Sequence, residues 1–306
     1  FGRRIRVNLL GSLVHIASAE DIILSKLEWS RMSGSDRQLR DALGVAPLYF
    51  GESEEGDLCF ASEIKALRVC AEEKVAGLEI SGTPLDKAAG MEFIEKLKNA
   101  GVKMFHKVGS VRHAVHAEKP GYDGIYAAGI EEGGHPLNDD VTSMVLTPRI
   151  VSSVKIPVVT VGGIADGRTM AAALALGAEG VMMASRFIAT KECEVHDNIK
   201  QELIRRQEFD TVIYGKSIGL QGRGLKSKVL EEVLAIEARH GGFEELIPLL
   251  SGQKVKEAWE TGDVNYAPLM VGQSIGLIND IPTCRELMER MEREANECLK
   301  KTGAMV

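Results

Sequence analysis

From about residue 75 onward, short runs of β-branched and other apolar residues alternate with longer stretches of helical periodicity, and each run stops at a glycine, a serine or another small residue. That alternation is the mark of βαβ units, in which parallel strands are joined by crossover helices. Five strands are expected, over residues 77–81, 102–108, 123–129, 157–162 and 180–185. Their starts recur about every 20–35 residues, the length of one strand, one helix and two loops. Met91, Ile94 and Leu97 mark one intervening helix; Met170, Ala173, Leu174 and Leu176 mark another. Gly101 and Gly177 follow these helices as C-terminal caps.

The flanks read differently. Residues from about 190 to 306 are expected to be mostly helical with charged faces, most clearly over 226–240 and 285–299. Between these lies a small-residue segment, 262–276, suited to crossing the mouth of a barrel, so the region reads as a lid with flanking helices. The first 70 residues show no βα unit. They offer an amphipathic helix over 20–32 and a short hairpin pairing 48–50 with 58–61.

Composition limits the function. Of 306 residues, 44% are hydrophobic, enough for a substantial core, and the net charge of −7 lacks the basic excess that attracts nucleic acid or anionic lipid. No apolar run approaches the roughly 20 residues of a membrane helix, and the start lacks the layout of a secretory signal, so a cytoplasmic protein is expected, with neither nucleic acid nor membrane as a partner. Five scattered cysteines without a Cys-x-x-Cys pair suggest reduced thiols and no thiolate zinc site. His106, His113 and His116 cluster in sequence, but no carboxylate or cysteine completes a ligand set, and no metal is expected. Asp139-Asp140 reads as a solvated turn and Arg205-Arg206 as a surface charge pair.

Three turns carry the chemistry. Gly-Ile-Glu-Glu-Gly-Gly-His, residues 129–135, directly follows an apolar strand. Its double glycine lets backbone approach a planar ligand, and His135 falls at the strand end, where parallel α/β folds place their reactive groups. A neutral imidazole there can take a proton from an acidic C–H. In Thr-Val-Gly-Gly-Ile-Ala-Asp-Gly, residues 160–167, amides at the glycine turn and at the following helix N-terminus form an anion cradle suited to a phosphate. In Gly-Val-Met-Met-Ala-Ser-Arg-Phe, residues 180–187, Ser185 adds a hydroxyl donor. Consecutive βα turns of this kind are where barrels hold phosphate.

Residues 77–297 resemble the nitronate monooxygenase family, also called 2-nitropropane dioxygenases, in segments 106–113, 129–135, 157–167, 171–178, 186–192 and 272–278. The resemblance implies an α/β fold of the TIM (β/α) barrel type, incomplete at its N-terminus, with C-terminal lid helices. It implies FMN as cofactor, its phosphate held by Gly162, Gly163 and the turn Met182, Met183, Ala184 and Ser185, with Ala128, Gly133 and Gly134 along the ring and Lys107 at its pyrimidine edge. His135 lands on the family's catalytic histidine, which deprotonates a nitroalkane or orients a nitronate; with dioxygen, a carbonyl compound and nitrite result. Two positions depart from the family pattern: Ala184-Ser185 stands where Gly-Thr is usual, and Ala128 stands where a polar contact is frequent. The flavin-type enoyl-acyl-carrier-protein reductase, with the same barrel, double glycine and histidine, is the alternative enzyme, and a non-catalytic truncated barrel is the alternative outside catalysis.

The N-terminus does not match the barrel family. Residues 40–49 and 58–67 instead resemble an internal piece of the glutaminase domain of asparagine synthetases, without its N-terminal cysteine nucleophile. The expected division is therefore a foreign or capping segment, 1–74, and an FMN-binding β/α barrel with its helical lid, 75–306. A barrel without its early strands exposes a sheet edge, which calls for cover from the N-terminal segment or from a homo-oligomer.

Overall fold

The computed structural model describes residues 76–305 together with four strands in the preceding stretch. Those four are β1 (Ile5–Leu9), β2 (Ser12–Ile16), β3 (Leu48–Glu52) and β4 (Leu58–Ala61). β1 and β2 form an antiparallel hairpin, and β3 and β4 form another. The helix expected over 20–32 lies outside the described residues.

All five expected parallel strands are present: β5 (Gly77–Ser81), β6 (Lys103–Val108), β7 (Gly124–Ala128), β8 (Val158–Val161) and β9 (Gly180–Met182). They pair in sequence order, each parallel to the next. The intervening helices are α1 (Leu85–Ala88) and α2 (Met91–Asn99), α3 (Val111–Glu118), α4 (Ser143–Val151) and α5 (Gly167–Ala175). This is an α/β fold made of the successive βα units of a TIM barrel, and among the described residues the sheet stays open. On its outer side, β3 pairs antiparallel with β5, Leu48 opposite Ser81, so the strand order is β4-β3-β5-β6-β7-β8-β9.

Alternation along the strands sorts side chains onto two faces. Leu78, Ile80, Met104, Val108, Ile125, Ala127 and Val158 meet Leu85, Ile94, Leu97, Ala114, Ala117, Leu146 and Ile150 of the helices in one buried core. The opposite, barrel-inner face carries Phe105, Lys107, Tyr126, Ala128, Val159 and Val161, with the Phe105 and Tyr126 rings 5.4 Å apart.

One expectation is corrected. Strand β9 ends at Met182; Met183 and Ala184 form a turn and Ser185 opens a one-turn helix, α6 (Ser185–Ile188). The region after 190 is mostly helical, as expected, with one addition. Beyond α7 (Asp197–Arg205) it contains an antiparallel hairpin, β10 (Thr211–Tyr214) with β11 (Gly222–Leu225). The two glycines of β11 hid it, because glycine depresses strand propensity. The helices α8 (Lys228–Ala238), α9 (Phe243–Leu250), α10 (Gly252–Thr261) and α11 (Cys284–Gly303) follow, with α8 and α11 at the two amphipathic stretches. α11 packs Leu287, Met288, Met291 and Ala295 against Met170, Ala171 and Ala173 of α5.

Candidate active site

The register places Ala128, Val161 and Met182 side by side at the C-terminal ends of β7, β8 and β9. The three sequence-predicted turns therefore leave the sheet from a common rim.

The turn after β7 is held from every side. The Gly129 amide donates to the Val161 carbonyl (2.9 Å) and the Ile130 amide to that of Val141 (2.8 Å). Both Glu131 carboxylate oxygens accept from the Ser143 amide (3.0 Å), and one also accepts from its hydroxyl (2.9 Å), at the start of α4. The Glu131 carbonyl accepts from the Gln273 amide (2.9 Å). Gly134 and Arg223 of β11 exchange backbone hydrogen bonds of 3.1 and 2.7 Å. The Arg223 guanidinium donates through Nε to the Ile130 carbonyl (3.1 Å) and through Nη1 to Thr211 Oγ1 (2.9 Å). His135 Nδ1 lies 3.0 Å from the Gln221 carbonyl oxygen. A carbonyl only accepts, so Nδ1 carries the proton and, in the neutral ring, Nε2 carries the lone pair.

Beneath this turn lies a charge pair. Lys107 Nζ donates to Glu132 Oε1 (3.0 Å) and to the carbonyl oxygen of His135 (3.1 Å). The two side chains are only 13% and 7% exposed. Burial pushes the Glu132 carboxyl above its ordinary value, and the Lys107 charge pulls it back.

His106, next to Lys107 in β6, faces the other side of the sheet. Its Nδ1 lies 2.9 Å from the Ile80 carbonyl, and burial lowers its pKa to about 4, so the ring is neutral. His116 pairs with Asp86 (3.0 Å) and His113 stands 4.0 Å from Asp139. Three different surroundings separate the three histidines, and no metal-ligating cluster occurs among the described residues.

The glycine turn after β8 has φ of 90° at Gly162 and 77° at Gly163, a conformation that L side chains resist. The amides of Gly163, Met183 and Ala184 donate to no other described residue. Ala184 has φ of −121°, so this turn does not impose the positive φ that would demand a glycine here. Ser185 is buried, and its Oγ accepts from the Gly272 amide (2.8 Å), which leaves its own hydrogen to donate. The helix that follows the glycine turn corrects one expectation: its N-terminus is taken by the chain's own carboxylates. Asp166 accepts from the Thr169 amide (2.8 Å) and Glu294 from that of Gly167 (3.0 Å). The backbone donors left over at this rim are thus those of the turns themselves.

Within the segment 262–276, residues 271–273 run against these turns. A Cβ on Gly133 would stand 2.4 Å from the Val271 carbonyl carbon and 2.5 Å from the Gly272 amide nitrogen, so this glycine is needed where the two backbones cross. At Gly134, with φ of 83°, a Cβ would meet nothing within 4 Å. Glu132, Gln221 and Arg223 were assigned no role by the sequence reading. Glu132 had a local signal, a second acid beside a double glycine; Gln221 and Arg223 come from more than 80 residues downstream and left none, whereas Val271 and Gly272 fall in the small-residue segment 262–276 that was expected at the barrel mouth. A cleft of about 480 Å³ between α11 and the start of α5, lined by Arg168, Arg186, Asp280, Arg290 and Glu294 among others, contains none of the sequence-predicted residues.

Successive βα units, with glycine turns and a histidine at their C-terminal rim, are the architecture of flavin-dependent oxidoreductases on (β/α) barrels. Within that class the chain belongs to the nitronate monooxygenase family, whose model matches residues 68–294. A probable nitronate monooxygenase of Staphylococcus aureus is 33% identical over 215 residues, 68% of this chain and 60% of that one. The chain thus spans about three fifths of that relative's length. The (3aS,4S,5R,7aS)-5-hydroxy-7a-methyl-1-oxo-octahydro-1H-indene-4-carboxyl-CoA dehydrogenase of Rhodococcus jostii is 31% identical over 254 residues, 71% of each chain. Among solved structures, FabK from Thermotoga maritima superposes with a TM-score of 0.72 at 34% identity, covering 79% of this chain and 74% of its own.

Proposed function

We propose that the chain is an FMN-dependent nitronate monooxygenase that converts alkyl nitronates and dioxygen to carbonyl compounds and nitrite, with residues 75–306 as the flavin-binding unit, 1–74 as a capping segment, and the cytoplasm as its location. The observation that carries this reading is His135, its Nδ1 proton fixed on the Gln221 carbonyl at the rim where the glycine turns converge.

The residues present fit such a cofactor. Gly162, Gly163, Met182, Met183, Ala184 and Ser185 would hold the phosphate, through the amides of Gly163, Met183 and Ala184, which donate to no other described residue, and the Ser185 hydroxyl. Ala128, Gly133 and Gly134 would line the ring, with the open side of Gly134 offering close approach. Lys107 keeps a third N–H donor beyond Glu132 and His135 for the ring edge. When bound, FMN would supply electron transfer from substrate to dioxygen, which no side chain provides. Nε2 of His135 would accept the proton from the carbon beside the nitro group, or hold a nitronate already formed. Gln221 keeps the tautomer that makes this atom the base.

The reductase reading has support in the likeness to a dehydrogenase whose name specifies a CoA ester. NAD(P)H oxidation separates the two. The deciding experiment is the visible spectrum of the purified protein, desalted after incubation with FMN. A retained flavin band, bleached anaerobically by propionate 3-nitronate, supports the monooxygenase. Bleaching by NAD(P)H with an enoyl thioester as acceptor replaces it with the reductase, and a folded, colourless protein leaves the non-catalytic barrel. His135→Ala is expected to keep the band and lower kcat/KM for neutral nitroalkanes by about 10²–10⁴-fold, as loss of a general base does.

A further inference from the structure

We propose that Glu132 is a positioning residue, which aligns the Lys107 ammonium on the carbonyl of His135 and so fixes the orientation of that imidazole. The inference rests on the reading of His135 as the catalytic base.

Glu132 has no role in the proton and phosphate contacts described above, yet it is a carboxylate 7% exposed beside the reactive turn. Charges are retained in such a place only when paired and hydrogen-bonded. Its partner, Lys107, lies on β6 at the register position opposite Tyr126, on a strand whose outer face is locked into the core. Lys107 is therefore a rigid post. From it one N–H reaches Glu132 and another reaches the His135 carbonyl, three residues further along the same turn. The turn is thus gripped at two points by a single ammonium, and the Glu132 carboxylate dictates where that ammonium points. Gln221 and Arg223 secure the turn from the opposite side, through the ring of His135 and the backbone of Gly134. Two independent clamps on one histidine limit both its backbone and its ring, the arrangement that a base needs if it is to meet a substrate proton without reorganisation.

The test compares Glu132→Gln, Lys107→Met and the double variant Lys107→Met/Glu132→Gln in the whole chain. The double variant removes both charges at similar volume, so it carries the test if a single variant with one buried charge does not fold. Hydrogen exchange is followed at the amides of Gly134 and Arg223, which pair with each other. Exchange at least tenfold faster in the folded variants, with β6–β8 unchanged, is expected. With propionate 3-nitronate, kcat is expected to fall tenfold or more while KM stays within twofold, and Lys107→Arg, which restores a donor to both acceptors, is expected to recover most of it. Unchanged exchange in the double variant overturns the proposal, as does a raised KM with kcat intact, which would put the pair on the substrate. If the wild-type protein does not turn over the nitronate, the exchange arm still decides the role of Glu132, and only the enzyme reading fails.

Discussion

At the residue scale, Gly133 and Lys107 define the tolerances of the site. A methyl group at Gly133 collides with the backbone of Val271 and Gly272, which cannot turn aside as a flexible side chain would. Gly133→Ala is expected to cost about 1–3 kcal/mol in urea unfolding, the usual range for an overpacked contact. It is also expected to make the 262–276 segment more sensitive to limited proteolysis. Lys107→Met leaves Glu132 buried without its counter-charge, an expected loss of about 3–5 kcal/mol at neutral pH. The pH dependence has a defined sign. Glu132 already has a raised carboxyl pKa in the folded protein, and losing Lys107 removes what opposes the rise. A carboxyl raised on folding favours the folded state at pH below its unfolded value, and that contribution fades as pH climbs through the folded value. The penalty of Lys107→Met relative to wild type should therefore shrink as the pH is lowered and the carboxyl protonates. A penalty independent of pH would refute this account.

At the scale of elements, the crossing of α5 and α11 depends on Gly167. Its absent side chain admits the Met291 carbonyl and the Glu294 Cβ, each 2.4 Å from where a Cβ would stand. An ordinary glycine-to-alanine change in a helix gains about 0.5–1 kcal/mol. Here the collision outweighs that gain, and Gly167→Ala is expected to destabilise by a net 1–2 kcal/mol, roughly. Below this crossing, Asp280 bridges the almost fully buried Arg186 and the more exposed Arg290. The hydrogen bond from Arg290 is the largest influence holding the Asp280 carboxyl below its ordinary value. Its contribution is thus present above the unfolded carboxylate value and is lost as pH falls through the folded one. Acid titration of Asp280→Asn against wild type should show the two stabilities converging in that acidic window.

At the scale of the molecule, the inner face of the sheet is only partly covered among the described residues, with Phe105, Tyr126 and Val159 half-buried where the opposite face is a closed core. A ligand seated at the rim would complete that side, so under the proposed function FMN is expected to raise the unfolding free energy by mass action, about 2.7 kcal/mol at one hundred times its Kd. A melting temperature indifferent to FMN over that range would count against the site. No helix among the described residues is long and apolar enough to cross a membrane.

The sequence alone determined the local periods and the breaks between them. Apolar runs ending in glycine, serine or another small residue located all five parallel strands, because strand length and turns are local properties of the chain; short apolar runs likewise marked β3–β4, and amphipathic periodicity marked α8 and α11. It also supplied His135 and the two glycine turns as neighbours on consecutive βα units. What it could not supply depended on contacts between distant segments. The β10–β11 hairpin, written with glycines, has no local signal, yet it fixes the His135 tautomer through Gln221 and the turn through Arg223. The helix N-terminus after Gly163 looked like an anion site until tertiary structure brought Glu294 onto it. Glu132 stood in the 129–135 motif without a role of its own, and only the fold buries it against Lys107. Periodicity reports which face of an element is apolar. It cannot report which charged or polar group another part of the chain will bring to meet it, because that partner is chosen only when the elements pack.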